Sequence, residues 1–307
     1  MSPDHGSARR GSGDIVVDRR FLYAEAAASE NDHAAAAEIL EQTLELAPNW
    51  APLWFALACA YEKTGRRDQA AVGFSRAAEL DVEGELGAAL HLARLGVAAP
   101  PAAAPIGYVR GLFDQYADRF DAHLVEKLGY RGPDLLAAAL ARLGATQFGH
   151  VVDLGCGTGL CGARFRSASL RLSGVDLSPR MIHAARERGV YDRLEIGALD
   201  DFLAREPAGG ASLVLAADVL VYIGDLAPVS AAAARVLEPQ GYFAFTLQRA
   251  PEGAYGIGAD LRYSHSEAYV RRVASAAGLS IAFLEQNSTR KDVGADVPGL
   301  VVVAARA

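Results

Sequence analysis

The sequence predicts an α/β protein in which an all-α helical-repeat region precedes a mostly parallel sheet of seven strands. Two observations predict this class: an Ala-rich first third broken repeatedly by turn residues, and a remainder in which short apolar runs alternate with amphipathic segments. The 307 residues, 51% of them hydrophobic and 22% charged, allow one large or two smaller globular domains. Disordered and fibrous classes are thereby excluded.

Charge and cysteine content restrict the partners. A net charge of −7 gives no general attraction to phosphate backbones or anionic lipid, and the apolar runs fall short of the about 20 residues that cross a bilayer. The 3 cysteines fit neither a disulfide framework nor a zinc pattern, so we expect no metal. Met1 to Asp14 are Ser/Gly/Asp-rich and do not resemble a signal peptide, and residues 1–19 are expected to be disordered. We therefore expect a cytoplasmic protein that binds neither nucleic acid nor membrane.

The Ala-rich region fits the roughly 34-residue period of paired helices. The register places small and aromatic residues where two helices pack: Trp54, Leu57, Ala58, Tyr61, Gly65, Ala70, Phe74 and Ala77. A weaker copy begins near Tyr23, and a closing helix is expected over Ala89–Gly96. Residues 20–96 therefore resemble a short tetratricopeptide-repeat unit, followed by a Pro/Ala-rich linker over residues 97–107. The resemblance implies a docking surface for a protein partner, and a helical cover on the neighbouring domain remains the alternative.

Strands and helices alternate from residue 108 onward. The candidate strands are His150–Leu154, Leu170–Asp176, Leu194–Gly197, Ser212–Ala217, Tyr242–Leu247, Leu279–Leu284 and Gly299–Ala304. Helices are expected between the early strands, over Leu160–Ser167, Ser178–Gly189 and Leu226–Leu237. Such alternation predicts helices on both faces of a parallel sheet, whose ligands bind outside the carboxyl ends of the strands.

The first of these strands ends in a glycine-rich loop. Residues 153–159 read D-L-G-C-G-T-G and lead directly into a helix, and the next strand ends in Asp176. A glycine pattern alone also marks NAD sites, and a phosphate-binding loop requires a Lys before Ser or Thr. The acid within the strand, the alternating glycines and the second acid are together far more specific than any one of them.

With this loop, residues 108–307 resemble the class I S-adenosylmethionine-dependent methyltransferases, which have a Rossmann-like sheet. The resemblance implies S-adenosyl-L-methionine as the cofactor, with its methionine end at the loop and its ribose hydroxyls on Asp176. A carboxylate suits a ribose diol because it accepts two charge-assisted hydrogen bonds. The implied cofactor contacts are Tyr108, Tyr116, Asp153, Gly155, Gly157, Gly159, Asp176, Met181, Leu199 and Asp218.

Two regions outside the glycine loop are expected to contact the cofactor or cover it: the residues near Ala198 and the segment 108–121. Many relatives place an acid for the adenine amino group where this chain has Ala198, so either backbone groups near Leu199 or the Asp200 carboxylate would serve instead. Residues 108–121 resemble the amino-terminal lid of small-molecule methyltransferases, and a lid excludes water. Its recurring aromatic residues also fit an ordinary packing face.

The resemblance implies direct methyl transfer to an oxygen or nitrogen acceptor on a small molecule or a protein side chain. An acceptor that carries a proton requires a base, and His265 and Asp218 are the candidate catalytic residues. The chain has no N/D-P-P-Y/F motif after the fourth strand, which argues against a nucleic-acid base as acceptor. The alternatives are a non-catalytic adaptor that holds the cofactor as a structural ligand while the repeats dock a partner, and an NAD-dependent oxidoreductase, which the loop sequence disfavours.

Overall fold

The computed structural model describes residues 11–121, 123–124, 128–292 and 294–307, and it divides into two compact units. The first unit consists of the chain up to Val109 with Ala259–Leu261, and the second consists of Arg110–Gly258 and Arg262–Ala307. Of the expected disordered N-terminus, residues 1–10 lie outside the described residues. The first helix begins at Ile15, which is earlier than the expected boundary at residue 20.

The described part of the first unit is helical. Its helices are α1 (Ile15–Ser29), α2 (His33–Leu44), α3 (Ala51–Lys63), α4 (Arg67–Leu80), α5 (Ala88–Arg94) and the start of α6 (Ile106–Tyr116). Asp14 and Asp32 cap α1 and α2 by accepting backbone N–H bonds. A Cβ at Gly73 would lie 2.9 Å from the Ala58 Cβ, so α3 and α4 pack closely only because this position is glycine. Each of α1–α4 packs against the next helix, and buried Ala, Leu and Phe side chains form one core.

The second unit contains the sheet. Its strands are β1 (Phe148–Leu154), β2 (Ser169–Asp176), β3 (Arg193–Ile196), β4 (Ala211–Ala216), β5 (Leu237–Arg249), β6 (Tyr255–Ile257), β7 (Tyr263–His265), β8 (Leu279–Gln286), β9 (Lys291–Asp292), β10 (Ala295–Asp296) and β11 (Gly299–Arg306). The main order is β3-β2-β1-β4-β5-β11-β8, with β1–β5 parallel and β11 antiparallel to both neighbours. The predicted fold class and each of the expected strands are confirmed.

Four short strands do not follow from the sequence pattern. Strands β6 and β7 extend one side of β5, and β9 pairs with β10 in a separate hairpin. These strands have only two or three residues each, which is too short to show a period of two.

Helices cover both faces of the sheet. They are α7 (Gly132–Arg142), α8 (Leu160–Phe165), α9 (Pro179–Arg188), α10 (Leu199–Arg205), α11 (Ala227–Val236) and α12 (Glu267–Ala276). One core cluster joins α10, α11 and α12 to the sheet, and the other joins α7 and α8 to its opposite face. Within β1, Val151 belongs to one cluster and Val152 to the other, as the alternation of side chains along a strand requires.

The strand order reverses between β1 and β4. Chain connections run from β1 outward through β2 to β3 and then return to β4, so a crevice opens at the carboxyl ends of β1 and β4. Within the described residues, none of the helices is both long and apolar enough to cross a membrane.

Candidate functional site

The loop between β1 and α8 depends on glycine for its backbone shape. Gly155, Gly157 and Gly159 have φ values of 60°, 55° and 92°, in the left-handed region that favours glycine. A Cβ at Gly155 would also lie 2.4 Å from Cγ2 of Val219, which follows β4. The loop therefore brings bare backbone to the crevice, and a side chain at Gly155 would collide with Val219.

Asp176 ends β2 and binds this loop with its carboxylate. Its Oδ2 accepts the N–H of Gly157 at 2.9 Å, and its Oδ1 accepts the N–H of Ser178 at 2.9 Å. A carboxylate has about four acceptor positions, so each oxygen retains the capacity for another donor. Burial raises the pKa of Asp176 to about 6, against the effect of the two N–H donors. The arrangement suits a ligand that supplies two neighbouring hydroxyl donors.

Asp153 lies near the end of β1 and is 1% exposed. The hydroxyl of Tyr191 donates a hydrogen bond to its Oδ2 at 2.7 Å. Burial raises the pKa of Asp153 to about 7, the Tyr191 bond opposes this rise, and the charge of Asp176 adds to it. Two desolvated acids at one crevice favour a cationic ligand, because its charge stabilises their ionised forms. Tyr191 carried no signal in the sequence.

The lid-like segment 108–121 lies in the second unit from residue 110 onward, and we call residues 110–121 the lid. The lid is hydrogen-bonded beside this crevice at two points. Asp121 accepts a hydrogen bond from the hydroxyl of Thr158 in the glycine loop and forms an ion pair with Arg188 at the end of α9. Asp114 accepts a hydrogen bond from the Ser178 hydroxyl at 2.5 Å. The lid therefore binds the glycine loop at one end and the start of α9 at the other.

Aromatic rings of the lid lie beside the glycine loop. A Cβ at Gly157 would lie 3.9 Å from the ring of Phe120, whose centroid is 6.0 Å from that of Phe113. Phe113 in turn contacts Tyr222, which follows β4, at 5.5 Å between centroids. Tyr116, a predicted cofactor contact, packs edge-on against Phe120 at 5.6 Å. These rings form an apolar lining between the loop and the end of β4.

The remaining predicted cofactor contacts lie at several places. Met181 is fully buried in the first turn of α9, and the half-buried Leu199 begins α10, so both follow the carboxyl end of a strand. Tyr108 belongs to the first unit and packs against Gly87, where a Cβ would lie 2.6 Å from its ring. The cofactor roles of these three residues stay predictions.

Asp218, predicted as a catalytic and cofactor-binding residue, has its carboxylate bound on both oxygens. Its Oδ2 accepts from Arg290 Nη1 at 2.8 Å, and its Oδ1 accepts from the hydroxyls of Thr289 at 3.1 Å and Thr246 at 3.3 Å. Arg290 is 5% exposed. Burial raises the pKa of Asp218, opposed by the charge of Arg262 and the two threonine hydroxyls. Because both of its oxygens are already occupied by the threonine hydroxyls and Arg290, the geometry favours a structural anchor over a base.

His265, the other predicted base, ends β7 and is 0% exposed. Its Nε2 lies 3.0 Å from the carbonyl oxygen of Gly224, and its ring stacks on Tyr269 at 5.9 Å. Burial lowers the pKa of His265 to about 4. A base must reach the acceptor proton directly or through one water, so the geometry favours packing for His265. Its catalytic role stays a prediction.

Comparisons with known proteins place this geometry in context. Residues 152–243 match the model of a methyltransferase domain. Human Methyltransferase-like protein 27 is 34% identical over 106 residues, which cover 34% of this chain and 43% of that protein. The ubiquinone biosynthesis O-methyltransferase of Xanthomonas oryzae pv. oryzae is 30% identical over 123 residues, covering 38% and 49% respectively. The chain thus spans less than half the length of these curated relatives.

Solved structures resemble a larger part of the chain. The 1,6-didemethyltoxoflavin-N1-methyltransferase of Burkholderia thailandensis has a TM-score of 0.51 at 20% identity and covers 68% of this chain and 93% of its own. A chain from the Haloferax volcanii complex with the Trm112 methyltransferase activator has a TM-score of 0.51 at 21% identity, covering 63% and 96%. Together with the strand order, these likenesses show a Rossmann-like methyltransferase fold.

Proposed function

We propose that this chain, which has the Rossmann-like methyltransferase fold, transfers a methyl group from S-adenosyl-L-methionine to an oxygen or nitrogen of a small molecule or a protein side chain. The observation that carries the proposal is Asp176, because each of its oxygens accepts one backbone N–H and retains the capacity for a hydroxyl of a ribose diol. The relatives named above include an O-methyltransferase and an N-methyltransferase, which supports this class of acceptor atom.

The residues of the crevice fit this cofactor in charge as well as in shape. S-adenosylmethionine carries a sulfonium, an ammonium and a carboxylate group but no phosphate, so its net positive charge suits carboxylates in the crevice. The buried Asp153 and the half-buried Asp176 both have raised pKa values, and a cationic ligand stabilises their ionised forms. We assign Asp176 to the ribose and Asp153, with Gly155, Gly157 and Gly159, to the methionine end.

The bound cofactor supplies a methyl group on a sulfonium, which an acceptor atom displaces directly. For such a displacement the chain has to align the acceptor and exclude water, effects that contribute up to about 7–11 kcal/mol to lowering the barrier. Phe113, Phe120 and Tyr222 line the region beside the loop with apolar rings. This lining favours a small, flat acceptor whose reacting group enters between the loop and the end of β4.

The first unit receives a separate proposal. Helices α1–α4 pack consecutively, and the close approach of α3 and α4 at Gly73 agrees with a repeat in which small residues face each other. We therefore propose that residues 20–96 form tetratricopeptide-like repeats that dock a protein partner. Within the described residues no disulfide joins the cysteines, which supports a reducing, cytoplasmic location.

Label transfer in a metabolite extract tests the methyltransferase proposal. The full chain is incubated with extract and a cofactor labelled on its methyl group, and the products are separated by mass. We expect one small molecule to acquire the label with the wild-type chain and to lose it with Asp176→Ala. The matched control Asp134→Ala removes an exposed acid from the same unit and should retain transfer. Tight cofactor binding without any labelled small molecule or protein would favour the adaptor alternative.

A further inference from the structure

Tyr191 reaches the Asp153 carboxylate from the turn that precedes β3. Its hydroxyl donates to Oδ2 at 2.7 Å, over a separation of 38 residues in the chain. Among the residues that the structure describes, this is the side chain that donates a hydrogen bond to Asp153. An ionised carboxylate at 1% exposure requires such a donor, because water cannot solvate it fully.

Three glycines from three different elements make room for the Tyr191 ring. A Cβ at Gly162 in α8 would lie 2.3 Å from its Cζ, and one at Gly174 in β2 would lie 2.9 Å from its Cε1. In the glycine loop itself, a Cβ at Gly159 would lie 3.0 Å from its Cε2. The ring is therefore enclosed on several sides, and this enclosure fixes the direction in which its hydroxyl points.

We propose that Tyr191 is a positioning residue for the cofactor. Its hydroxyl holds Oδ2 of Asp153 and favours the ionised carboxylate, so that Oδ1 is presented to the ammonium group of the cofactor. The inference rests on the proposed function and deepens it, because it explains how a buried acid can bind a cation at neutral pH. Tyr191 contacts Asp153 and affects cofactor binding only through that carboxylate.

Neighbouring groups that change protonation in the same pH range would also affect the pH dependence of binding at Asp153. The other titratable or charged groups near it are Tyr130, Cys156, Cys161, Arg164, Asp176 and Arg188. Burial raises the pKa of the phenol and the two thiols, so they stay neutral below about pH 8.5. The two arginines are ion-paired with acids of their own. Asp176 is therefore the other group that titrates in this range, at about 6.

The variant Tyr191→Phe keeps the ring and removes only the hydroxyl. We measure the dissociation constant of S-adenosylhomocysteine by calorimetry from about pH 6 to about pH 8.5. Loss of the donor raises the pKa of Asp153, and a rise of about one unit from about 7 lowers the ionised fraction at pH 7, and with it the affinity, about fivefold. At about pH 8.5 the carboxyl is again largely ionised and the affinity should approach that of the wild type.

A matched control separates this effect from a change in packing. Tyr242 and Tyr191 are both half-buried against the core cluster that joins α7 and α8 to the sheet. Tyr242→Phe should therefore keep the wild-type pH profile of binding. An equal loss of affinity at every pH in Tyr191→Phe would mean that the residue supports only the shape of the loop. An unchanged profile would equally overturn the proposal.

A second measurement does not depend on the identity of the cofactor. Carbon NMR of the aspartate carboxyl groups in the free protein reports the midpoint of Asp153, which should rise in Tyr191→Phe. If the wild-type chain does not bind S-adenosylhomocysteine but this midpoint rises, the proposed cofactor is wrong and the control of Asp153 by Tyr191 stands. If binding is tight and the midpoint is unmoved, the positioning role is wrong and the proposed function stands.

Discussion

Replacing Asp176 with alanine should weaken cofactor binding far more than it weakens the fold. The substitution removes the acceptors for two ribose hydroxyls, and a hydrogen bond to a charged group contributes about 1.5–3 kcal/mol. Two such bonds amount to about 3–6 kcal/mol, which is a loss of about 10²- to 10⁴-fold in affinity. Asp176→Asn keeps one acceptor oxygen without the charge, so its affinity for the cofactor should lie between those of the wild type and Asp176→Ala.

The fold tolerates this change because two effects oppose each other. The N–H groups of Gly157 and Ser178 lose their acceptor, which destabilises the loop. The same substitution removes an acid whose ionisation is unfavourable in the folded state, as its raised pKa of about 6 indicates. Asp176 also lies outside both core clusters of the sheet unit. We therefore expect the thermal midpoint to change by only a few degrees.

Titration calorimetry with S-adenosylhomocysteine measures this prediction directly. Wild type, Asp176→Ala, Asp176→Asn and the control Asp134→Ala are compared at about pH 7.5, where Asp176 is ionised. Asp134 is exposed and paired with Arg164, so its loss should leave the dissociation constant within about threefold of the wild type. An Asp176→Ala variant that is folded and binds within the same limit would refute the assignment of this acid to the ribose.

The first unit, Asp218 and His265 provide the further predictions. A chain that begins at residue 97 should bind S-adenosylhomocysteine within about threefold of the full chain, because both core clusters of the sheet unit consist of residues beyond 130. A loss of binding together with an unfolded core would contradict this prediction. Asp218→Ala breaks the buried ion pair with Arg290 and should lower the free energy of unfolding by about 3–5 kcal/mol, measured by denaturant unfolding. A variant that is stable but inactive would instead support the catalytic role of Asp218. His265 has a pKa of about 4 when folded, below the unfolded value of about 6.5, so its contribution to stability should fall by up to about 3 kcal/mol as the pH falls from about 6.5 to about 4, measured as the difference between the wild type and His265→Gln. His265→Gln should lack this dependence and retain most of its turnover, and a drop of about 10²-fold or more in turnover would establish it as the base.

The sequence was sufficient to predict the order of elements and the acids at the ends of β1 and β2. Long apolar runs and their spacing specify parallel strands, and the glycine loop between β1 and α8 needs no tertiary information because its backbone shape requires glycine locally. Asp176 follows from the same logic, since the last residue of a parallel strand faces the crevice. These features depend on short segments of chain.

Contacts between distant segments were beyond the sequence pattern. Tyr191 binds an acid 38 residues earlier, and Arg188 binds Asp121 at a separation of 67 residues. The positions of His265 and Asp218 near strand ends were predictable, but the partners that occupy their side chains come from other elements of the sheet unit. Burial and hydrogen bonding decide whether such a group is free to react, and a single sequence does not show either.

The identity of the cofactor is the central claim, and thermal unfolding of the full chain with S-adenosylhomocysteine or NAD tests it most directly. S-adenosylhomocysteine at about 100 times its dissociation constant should stabilise the fold by about 2.7 kcal/mol, and Asp176→Ala should abolish this stabilisation at the same concentration. NAD at the same concentration should leave the midpoint unchanged, because its diphosphate would enter a crevice lined by Asp153 and Asp176. Stabilisation by NAD and none by S-adenosylhomocysteine would contradict the account.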